Sequence, residues 1–374
     1  MIWTGEINRP YAIDREVGLY DTTLRDGEQT VGVVLDPERK LELARALSEA
    51  GIRRIEAGFP RVSEEDYEAV KLIAGAGLEA EVWGFSRAVR GDVEALVELG
   101  VGASVIESPV SDLKLAAYGL DREEILGRVR EAVSFAAANG ITVCYFGVDG
   151  TRADRDFLRR AYETALGAGA TELAVVDTLG IASPEAAADL IASFIDLGVP
   201  LHWHGHNDFG LATAAAVAAV RAGARWVHGT VNGMGERAGN ANLGEIALAL
   251  EALYCVRTGL KLDRLREVSA LTGVELEDWK PLYGENLFKR ESGAVASQFH
   301  DPPSIEPYSA DLVGAERSIV LGKKSGIDSI RIKCDQLGLD VPEERQRDLL
   351  VAVKRLGAEK GGLVSDEEFR RLAT

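Results

Sequence analysis

The chain has 374 residues, 46% hydrophobic and 27% charged, which is the composition of a globular protein. Its 42 Lys and Arg against 60 Asp and Glu give a formal net charge of −18, which argues against nucleic acid as a partner. No apolar run approaches the roughly 18 residues of a membrane span, and the N-terminus lacks a secretory signal pattern. Three widely spaced cysteines fit neither a disulfide framework nor a cysteine zinc site. We therefore expect a cytoplasmic protein that binds no membrane.

From residue 17 onward, short runs rich in β-branched residues alternate with longer amphipathic stretches. Eight runs predict strands: 17–21, 53–58, 80–85, 103–108, 142–147, 172–178, 201–206 and 226–231. The stretch 37–51 predicts the first helix because it opens with a proline, closes with a glycine and carries apolar residues on one face. The stretch 121–140 predicts another helix, with an aspartate cap and a glycine stop.

Eight strand–helix units over about 240 residues predict an α/β fold, a (β/α)8 TIM barrel. An open doubly wound sheet is the alternative, but no G-x-G-x-x-G follows the first strand. We assign residues 1–275 to the barrel and 276–374 to a small C-terminal subdomain of loops and short helices, ending in a helical pair near 342–357 and 366–373. This appendage is too short and irregular for an independent regulatory domain. Its loop-like ESG and VLGKKSG segments contribute little obvious core, so we expect residues beyond about 275 to reach the partner's barrel mouth in a homodimer.

Charged and polar side chains crowd the segment LYDTTLRDGEQ, which stands at the end of the first predicted strand. They are Asp21, Arg25, Asp26, Glu28 and Gln29 within a single stretch. Barrel enzymes carry their chemistry at the C-terminal ends of strands, so this segment is a candidate for the site. A loop made polar for solubility alone is the alternative.

Three of the five histidines, His202, His204 and His206, alternate along the seventh predicted strand. A period of two places them on one face, which in a barrel can look inward. Two imidazoles held in this way, with a carboxylate such as Asp26, suit a divalent metal ion. A hydrogen-bonded histidine cluster is the alternative, and His202, nearest the start of the strand, is the best candidate for a structural role.

The eighth strand runs into VNGMGERAGNANLGE at 231–245, where glycines permit unusual dihedral angles and close backbone approach. Together with DTTLRDGEQ and HGHND, this segment resembles the metal-dependent synthase branch of the DRE-type TIM-barrel metalloenzymes: isopropylmalate synthase, homocitrate synthase and citramalate synthase. Further matching motifs are IEAGFP, PVSDL, DTLG, ESG and VLGKKSG, so the resemblance extends from about residue 17 to residue 326. GERAGNA favours the synthases over the hydroxymethylglutaryl-CoA lyases.

The resemblance implies a role for each matching residue. Asp26, His204 and His206 become ligands of a divalent cation, with Asn240 nearby or as a fourth ligand, and the sequence does not choose among Mg, Mn, Zn and Co. Glu56 and Asp21 become groups that support these residues. Arg25 becomes the residue that stabilises the developing oxyanion, and Gln29, Arg87 and Thr178 become substrate contacts.

Three positions depart from the resemblance. Val148 occupies the place of a catalytic Glu, Val295 the place of a His after ESG, and Ile305 the place of a Tyr. A valine cannot move a proton. Substitutes could be Asp149, Glu291, His300 and Tyr308, and a one-residue slip of the alignment would place Asp149 at the Glu position.

The favoured function is an acyltransferase that condenses an acyl-CoA, with acetyl-CoA as first choice, with a 2-oxo acid in amino-acid biosynthesis. A metal-dependent carbon–carbon lyase or aldolase on the same scaffold is the second hypothesis, because the usual proton-transfer groups are missing. A non-catalytic binding relative is the third.

Overall fold

The fold is described from a computed structural model that covers residues 1–374. Its barrel strands lie close to the predicted runs. They are β1 Gly18–Asp21, β2 Arg54–Glu56, β3 Glu81–Arg87, β4 Ala103–Pro109, β5 Thr142–Val148, β6 Glu172–Asp177, β7 Leu201–Gly205 and β8 Trp226–Gly229. Each strand is almost wholly buried, as expected for parallel strands covered by helices on one side and by the barrel interior on the other.

The eight strands close into one parallel barrel in chain order. The closing pair joins β1 to β8, with Gly18 beside Trp226 and Asp21 beside Gly229. An open doubly wound sheet has no such pair, so the predicted TIM barrel is confirmed. Glycine is required at position 18, because a Cβ atom there would lie 2.1 Å from the Trp226 ring.

Ten helices surround the barrel. They are α1 Pro37–Glu49, α2 Glu64–Ala74, α3 Arg90–Glu98, α4 Asp112–Tyr118, α5 Arg122–Ala138, α6 Arg155–Gly167, α7 Pro184–Ala192, α8 Ala212–Ala222, α9 Leu243–Tyr254 and α10 Leu265–Leu271. Asp121 caps α5 by accepting from a backbone N–H group, as the sequence predicts, and Asp36 caps α1 in the same way. No helix of the protein combines the length and the apolar character needed to cross a membrane.

The barrel interior is filled by side chains from alternate strand positions. This core contains Tyr20, Trp83, Phe85, Val105, Cys144, Phe146, Ala174, Val176 and Trp226. Because inward positions recur every second residue, the next inward positions toward the strand C-termini define the mouth of the barrel.

A second compact unit comprises Met1–Ile7 and Glu275–Thr374. The first seven residues belong to this unit instead of the barrel, since Trp3 N donates to Pro307 O at 2.7 Å. Its elements are β9 Lys289–Arg290, α11 Gly293–Ala296, β10 Ser318–Ile319, α12 Ile327–Leu337, α13 Glu343–Lys360 and α14 Asp366–Ala373. The expectation that the VLGKKSG segment contributes little core is wrong, because Leu321 belongs to a buried cluster with Ile330, Val353 and Phe369.

Candidate active site

Three predicted metal ligands converge at the C-terminal mouth of the barrel. Asp26 follows β1, His204 lies on β7, and His206 comes directly after that strand. The Asp26 Oδ2 atom is 3.2 Å from His204 Nε2 and 3.6 Å from His206 Nε2. One ligand atom from each of the three side chains lies within 4.8 Å of the other two, and all three side chains are buried. The barrel thus brings together residues that are about 180 positions apart in the chain.

The chemistry of this cluster fits a cation. Asp26 Oδ2 is buried and makes no hydrogen bond, although both imidazoles lie within ion-pair distance of it. Burial, followed by the neighbouring His204, lowers the pKa of His206 to about 4, so that ring is neutral at pH 7. Burial alone would raise the pKa of Asp26, but Arg25 and His204 outweigh it and hold that pKa far below its usual value. Imidazole nitrogens from two histidines and one carboxylate oxygen form a donor set that suits a divalent metal.

Asn240 lies beside the cluster through an antiparallel bridge with His206. Its side-chain amide donates to Met234 O at 3.0 Å, which orients the side chain. The loop needs glycine here, because a Cβ atom on Gly235 would lie 2.3 Å from Asn240 Nδ2 and one on Gly239 would lie 2.0 Å from Gly233 O. The glycine-rich segment after β8 thus serves to bring Asn240 to the mouth.

Arg25 is held beside the ligand cluster by a buried carboxylate. Its Nε atom donates to Glu56, and its Nη1 atom is 3.3 Å from Asp26 Oδ1. Glu56 also accepts from Tyr20 Oη at 2.9 Å and from Thr22 Oγ1 at 2.8 Å, so its position is fixed from three sides. The Arg25 Nη2 atom is buried and makes no hydrogen bond. A guanidinium held in this way, with one N–H group unused, can donate a hydrogen bond to an oxygen that gains negative charge.

Asp21 does not contact the ligand cluster. Its carboxylate accepts from Thr23 N at 3.0 Å and from Thr23 Oγ1 at 2.7 Å. Thr23 Oγ1 in turn accepts from Val231 N, so Asp21 joins the loops after β1 and β8. Burial raises the pKa of Asp21 to about 7, although the hydrogen bonds from Thr23 oppose the shift. Its support of the site therefore runs through the backbone of these two loops.

A cavity of about 830 Å³ opens over the ligand cluster. Gln29 and Thr178, two of the predicted substrate contacts, line it together with Val148. Glu107, which no sequence motif indicated, and Lys114 also line the cavity. The sequence signal that could have identified Glu107 is its place near the C-terminal end of the predicted strand 103–108. That run otherwise has the apolar composition of a buried strand, so the signal was weak.

The third predicted substrate contact, Arg87, lies elsewhere. It lines a neighbouring cavity of about 370 Å³, which shares Glu107 and Val148 with the larger one. Its guanidinium is paired with Asp92, with Nε at 2.7 Å from Oδ2 and Nη2 at 3.1 Å from Oδ1. Arg87 is half exposed, so any substrate that it binds must compete with Asp92.

Asp149 does not occupy the position that Val148 leaves without a carboxylate. Val148 lines both cavities, whereas Asp149 lines neither. The Asp149 carboxylate is fully buried, accepts two hydrogen bonds from Arg152 at 2.8 and 2.7 Å, and accepts another from Ser111. Its φ of 65° turns the backbone away from the strand direction. The structure therefore does not bring the Asp149 carboxylate to the cavity, and its catalytic role stays a prediction.

Glu291 and His300 belong to the C-terminal unit. The Glu291 carboxylate is paired with Lys324, whose Nζ lies 2.7 Å from Oε2 and whose N–H donates to Oε1. His300 is exposed and packs edge-on to Phe299. Their catalytic roles stay a prediction.

His202 has a structural position, as expected. Its two ring nitrogens lie 2.7 Å from Glu172 Oε2 and 2.9 Å from His228 Nε2, deeper in the barrel than the ligand cluster. Glu172 also binds Arg54, with 2.6 Å between Oε2 and Nη1. The hydrogen-bonded histidine cluster considered as an alternative thus exists, but its members are His202 and His228. His204 and His206 do not belong to it and lie at the mouth of the barrel beside Asp26.

Both units match known protein families. The family described as HMGL-like matches residues 16–272. The family described as homocitrate synthase post-HMGL domain-like matches residues 282–361. The two matches fall on the barrel and on the C-terminal unit respectively.

Curated relatives are similar over most of the chain. A putative (R)-citramalate synthase of Methanopyrus kandleri is 45% identical over 96% of this chain and 72% of its own length. A probable 2-isopropylmalate synthase of the same organism is 44% identical over 91% of this chain and 70% of its own. A homocitrate synthase of Methanopyrus kandleri is 41% identical over 94% of this chain and 90% of its own length. These names confirm the prediction that the chain is an enzyme of the transferase class.

Solved structures of lower identity share the fold. The HMG-CoA lyase of Bacillus subtilis is 20% identical, with a TM-score of 0.63 over 71% of this chain and 96% of its own. The carboxyl transferase domain of Rhizobium etli pyruvate carboxylase is 20% identical, with a TM-score of 0.56 over 71% of this chain and 48% of that one. On the two family matches and the relatives above 40% identity, the chain belongs to the HMGL-like family.

Proposed function

We propose that this protein condenses an acyl-CoA, acetyl-CoA first among the candidates, with a 2-oxo acid to give a branched 2-hydroxy acid and free CoA. The observation that carries the proposal is the buried Asp26, His204 and His206 cluster beside Arg25 in one cavity. The names of the relatives support the same reaction type.

Asp26, His204 and His206 would hold a divalent cation, with Asn240 nearby, and the bound cation would polarise the keto carbonyl of the 2-oxo acid. Arg25 would donate from Nη2 to the oxygen that gains charge as the new carbon–carbon bond forms. Glu56 fixes the orientation of this guanidinium before substrate arrives. Thr178 and Gln29 would bind and orient the substrate carboxylate, and Arg87 would do so from the adjoining cavity.

The overall reaction balances with water as the third reactant. The carbon next to the thioester loses a proton and bonds to the keto carbon, whose oxygen becomes the hydroxyl group. Water then cleaves the thioester, leaving a carboxylate and the CoA thiol. Release of free thiol therefore distinguishes this reaction from cleavage of a hydroxy acid.

The test is a screen of 2-oxo acids against acetyl-CoA and longer acyl-CoAs. A colour reaction measures the release of free thiol, and mass spectrometry identifies the products. We expect thiol release that needs both substrates and a divalent cation. Cleavage of a hydroxy acid without CoA would support the lyase instead, and binding without turnover would support a non-catalytic relative. The double variant His204→Ala/His206→Ala serves as the negative control.

We also propose a cytoplasmic homodimer, because the ESG and VLGKKSG motifs lie in the C-terminal unit and not in the barrel that carries the ligand cluster. Sedimentation velocity at micromolar concentration is the measurement, and a stable monomer would contradict it.

A further inference from the structure

Glu107 places a carboxylate inside the barrel mouth. The inward positions of β4 are Ala103 and Val105, both in the barrel core, so the next inward position is Glu107. In the register of the barrel Glu107 pairs with Arg87 on β3 and with Phe146 on β5. The Phe146 ring lies 5.1 Å from the ring of the ligand His204. Glu107 thus faces the same cavity as Arg25 and the ligand cluster.

The Glu107 carboxylate makes no hydrogen bond and no ion pair in the structure, although only part of the residue is exposed. The other carboxylates that line the cavity, apart from the ligand Asp26, are used or exposed. Glu28 and Asp66 both bind Lys40, and Asp36 caps α1. Glu65 and Glu236 are exposed at the rim. A partly buried carboxylate without a partner lowers the stability of the fold, because its charge loses hydration and gains no hydrogen bond. Its presence in the cavity therefore points to a function.

Charged and titratable groups approach Glu107 from each neighbouring element. They are Arg25 after β1, Arg87 on β3, Asp92 on α3, Lys114 on α4 and Tyr145 on β5. Burial raises the pKa of Glu107 above its usual value, although Arg25, Arg87 and Lys114 oppose the shift. A carboxylate with a raised pKa is a stronger base than an exposed one, and the nearby Arg25 and Lys114 favour its charged form.

Val148 explains why a carboxylate is needed at this position. Val148 lines the cavity on β5 and pairs in register with Pro109, two residues beyond Glu107 on β4. Asp149 is turned away and bound to Arg152 and Ser111. Glu107 therefore presents a carboxylate from the adjacent strand to the cavity that Val148 also lines.

We propose that Glu107 is the catalytic base that removes a proton from the carbon next to the thioester of the acyl-CoA. This proposal rests on the proposed function. The C–H bond breaks, its proton passes to a Glu107 carboxylate oxygen, and its electron pair forms the enolate. The enolate carbon then bonds to the keto carbon, and the electrons of the keto C=O bond move to the keto oxygen beside Arg25. That oxygen takes a proton from solvent and becomes the hydroxyl group. The proton on Glu107 leaves to solvent before the next turnover.

The variant Glu107→Gln keeps the shape of the side chain and removes the base. We expect its kcat to fall by about 10²–10⁴-fold, the usual effect of losing a general base, with the 2-oxo acid affinity and the metal content unchanged. In D2O the wild type should incorporate deuterium into the methyl group of acetyl-CoA, as followed by mass, and Glu107→Gln should not. The acid limb of the kcat/KM profile should also disappear in the variant.

A rescue variant and a matched control complete the test. Val148→Glu in the Glu107→Gln background returns a carboxylate from β5, and we expect it to recover part of the exchange and of the turnover. Glu123→Gln on α5, an exposed residue paired with Arg160, should leave both unchanged. Thermal unfolding of each variant checks that the fold is kept.

The failures of the two proposals differ. If the wild type releases thiol but Glu107→Gln retains turnover and deuterium exchange to within a few-fold, Glu107 is not the base and the proposed function stands. If the wild type releases no thiol with any substrate pair, the proposed function fails, and the role of Glu107 fails with it.

Discussion

Glu56 and Arg25 form a fully internal pair at the mouth of the barrel, with the Arg25 Nε donating to Glu56 Oε1 and the Glu56 side chain wholly buried. Burial alone would lower the pKa of Arg25, but Glu56 and then Asp26 outweigh it and raise that pKa above its usual value. The guanidinium also lies 4.2 Å over the Phe85 ring. Arg25 is thereby fixed in place and charged before substrate binds.

Glu56→Gln should destabilise the protein, because it removes one partner of a buried ion pair. We expect a loss of about 3–5 kcal/mol in the free energy of unfolding by urea. Glu68→Gln, which breaks the exposed pair with Lys71, should cost at most about 1 kcal/mol. Equal effects of the two substitutions would show that the buried pair is not specially important.

Removal of His204 and His206 together should abolish metal binding. The double variant His204→Ala/His206→Ala leaves Asp26 as the sole member of the cluster. Metal analysis after purification without chelator should find a divalent ion in the wild type and none in the double variant. His300→Ala, which changes an exposed histidine of the C-terminal unit, should keep the metal. Equal metal content in a folded double variant would disprove the ligand assignment.

Gly239→Ala should disturb the loop that carries Asn240. Both Gly239 and Gly210 have positive φ, at 84° and 71°, but only at Gly239 would a Cβ atom meet the backbone, 2.0 Å from Gly233 O. Gly210→Ala should therefore cost about 1–2 kcal/mol, from the dihedral angle alone. Gly239→Ala should cost more and should also weaken metal binding. Calorimetric titration with the metal separates the two, and equal metal affinity would contradict the role of the loop.

Acid should weaken the protein through Glu172. Burial opposes the shift, but hydrogen bonds from His202 and Arg54 lower the pKa of Glu172 from its usual 4.5 to about 2. A lowered pKa means that the pair stabilises the fold above pH 4.5, and that this contribution disappears as the pH falls toward 2. Glu172→Gln should cost about 3 kcal/mol at pH 7 and progressively less below pH 4.5. Urea unfolding of both proteins at several pH values measures this difference, and a constant gap would refute the assignment.

The sequence by itself determined the barrel. Alternating apolar runs and capped helical stretches have periods of two and 3.6, which depend on neighbours along the chain and are therefore readable without a structure. The alternation of His202, His204 and His206 likewise fixed that they share one face of β7. The linked motifs indicated the family, because they combine the residue types that a single metal site at the mouth of a barrel requires.

Only the tertiary structure decided which of these residues act together. His202 and His204 lie one inward layer apart on β7, and different neighbours set their roles. His202 binds Glu172 on β6, whereas His204 lies beside Asp26 in the segment after β1. Asp149 looked suitable in the sequence, but its positive φ and its bonds to Arg152 turn it away from the cavity. Glu107 looked like part of a buried strand, and barrel closure placed its carboxylate beside Val148. The physical reason is the same in each case: strand periodicity gives the direction of a side chain, whereas its partners are set by the register between strands that are far apart in the chain.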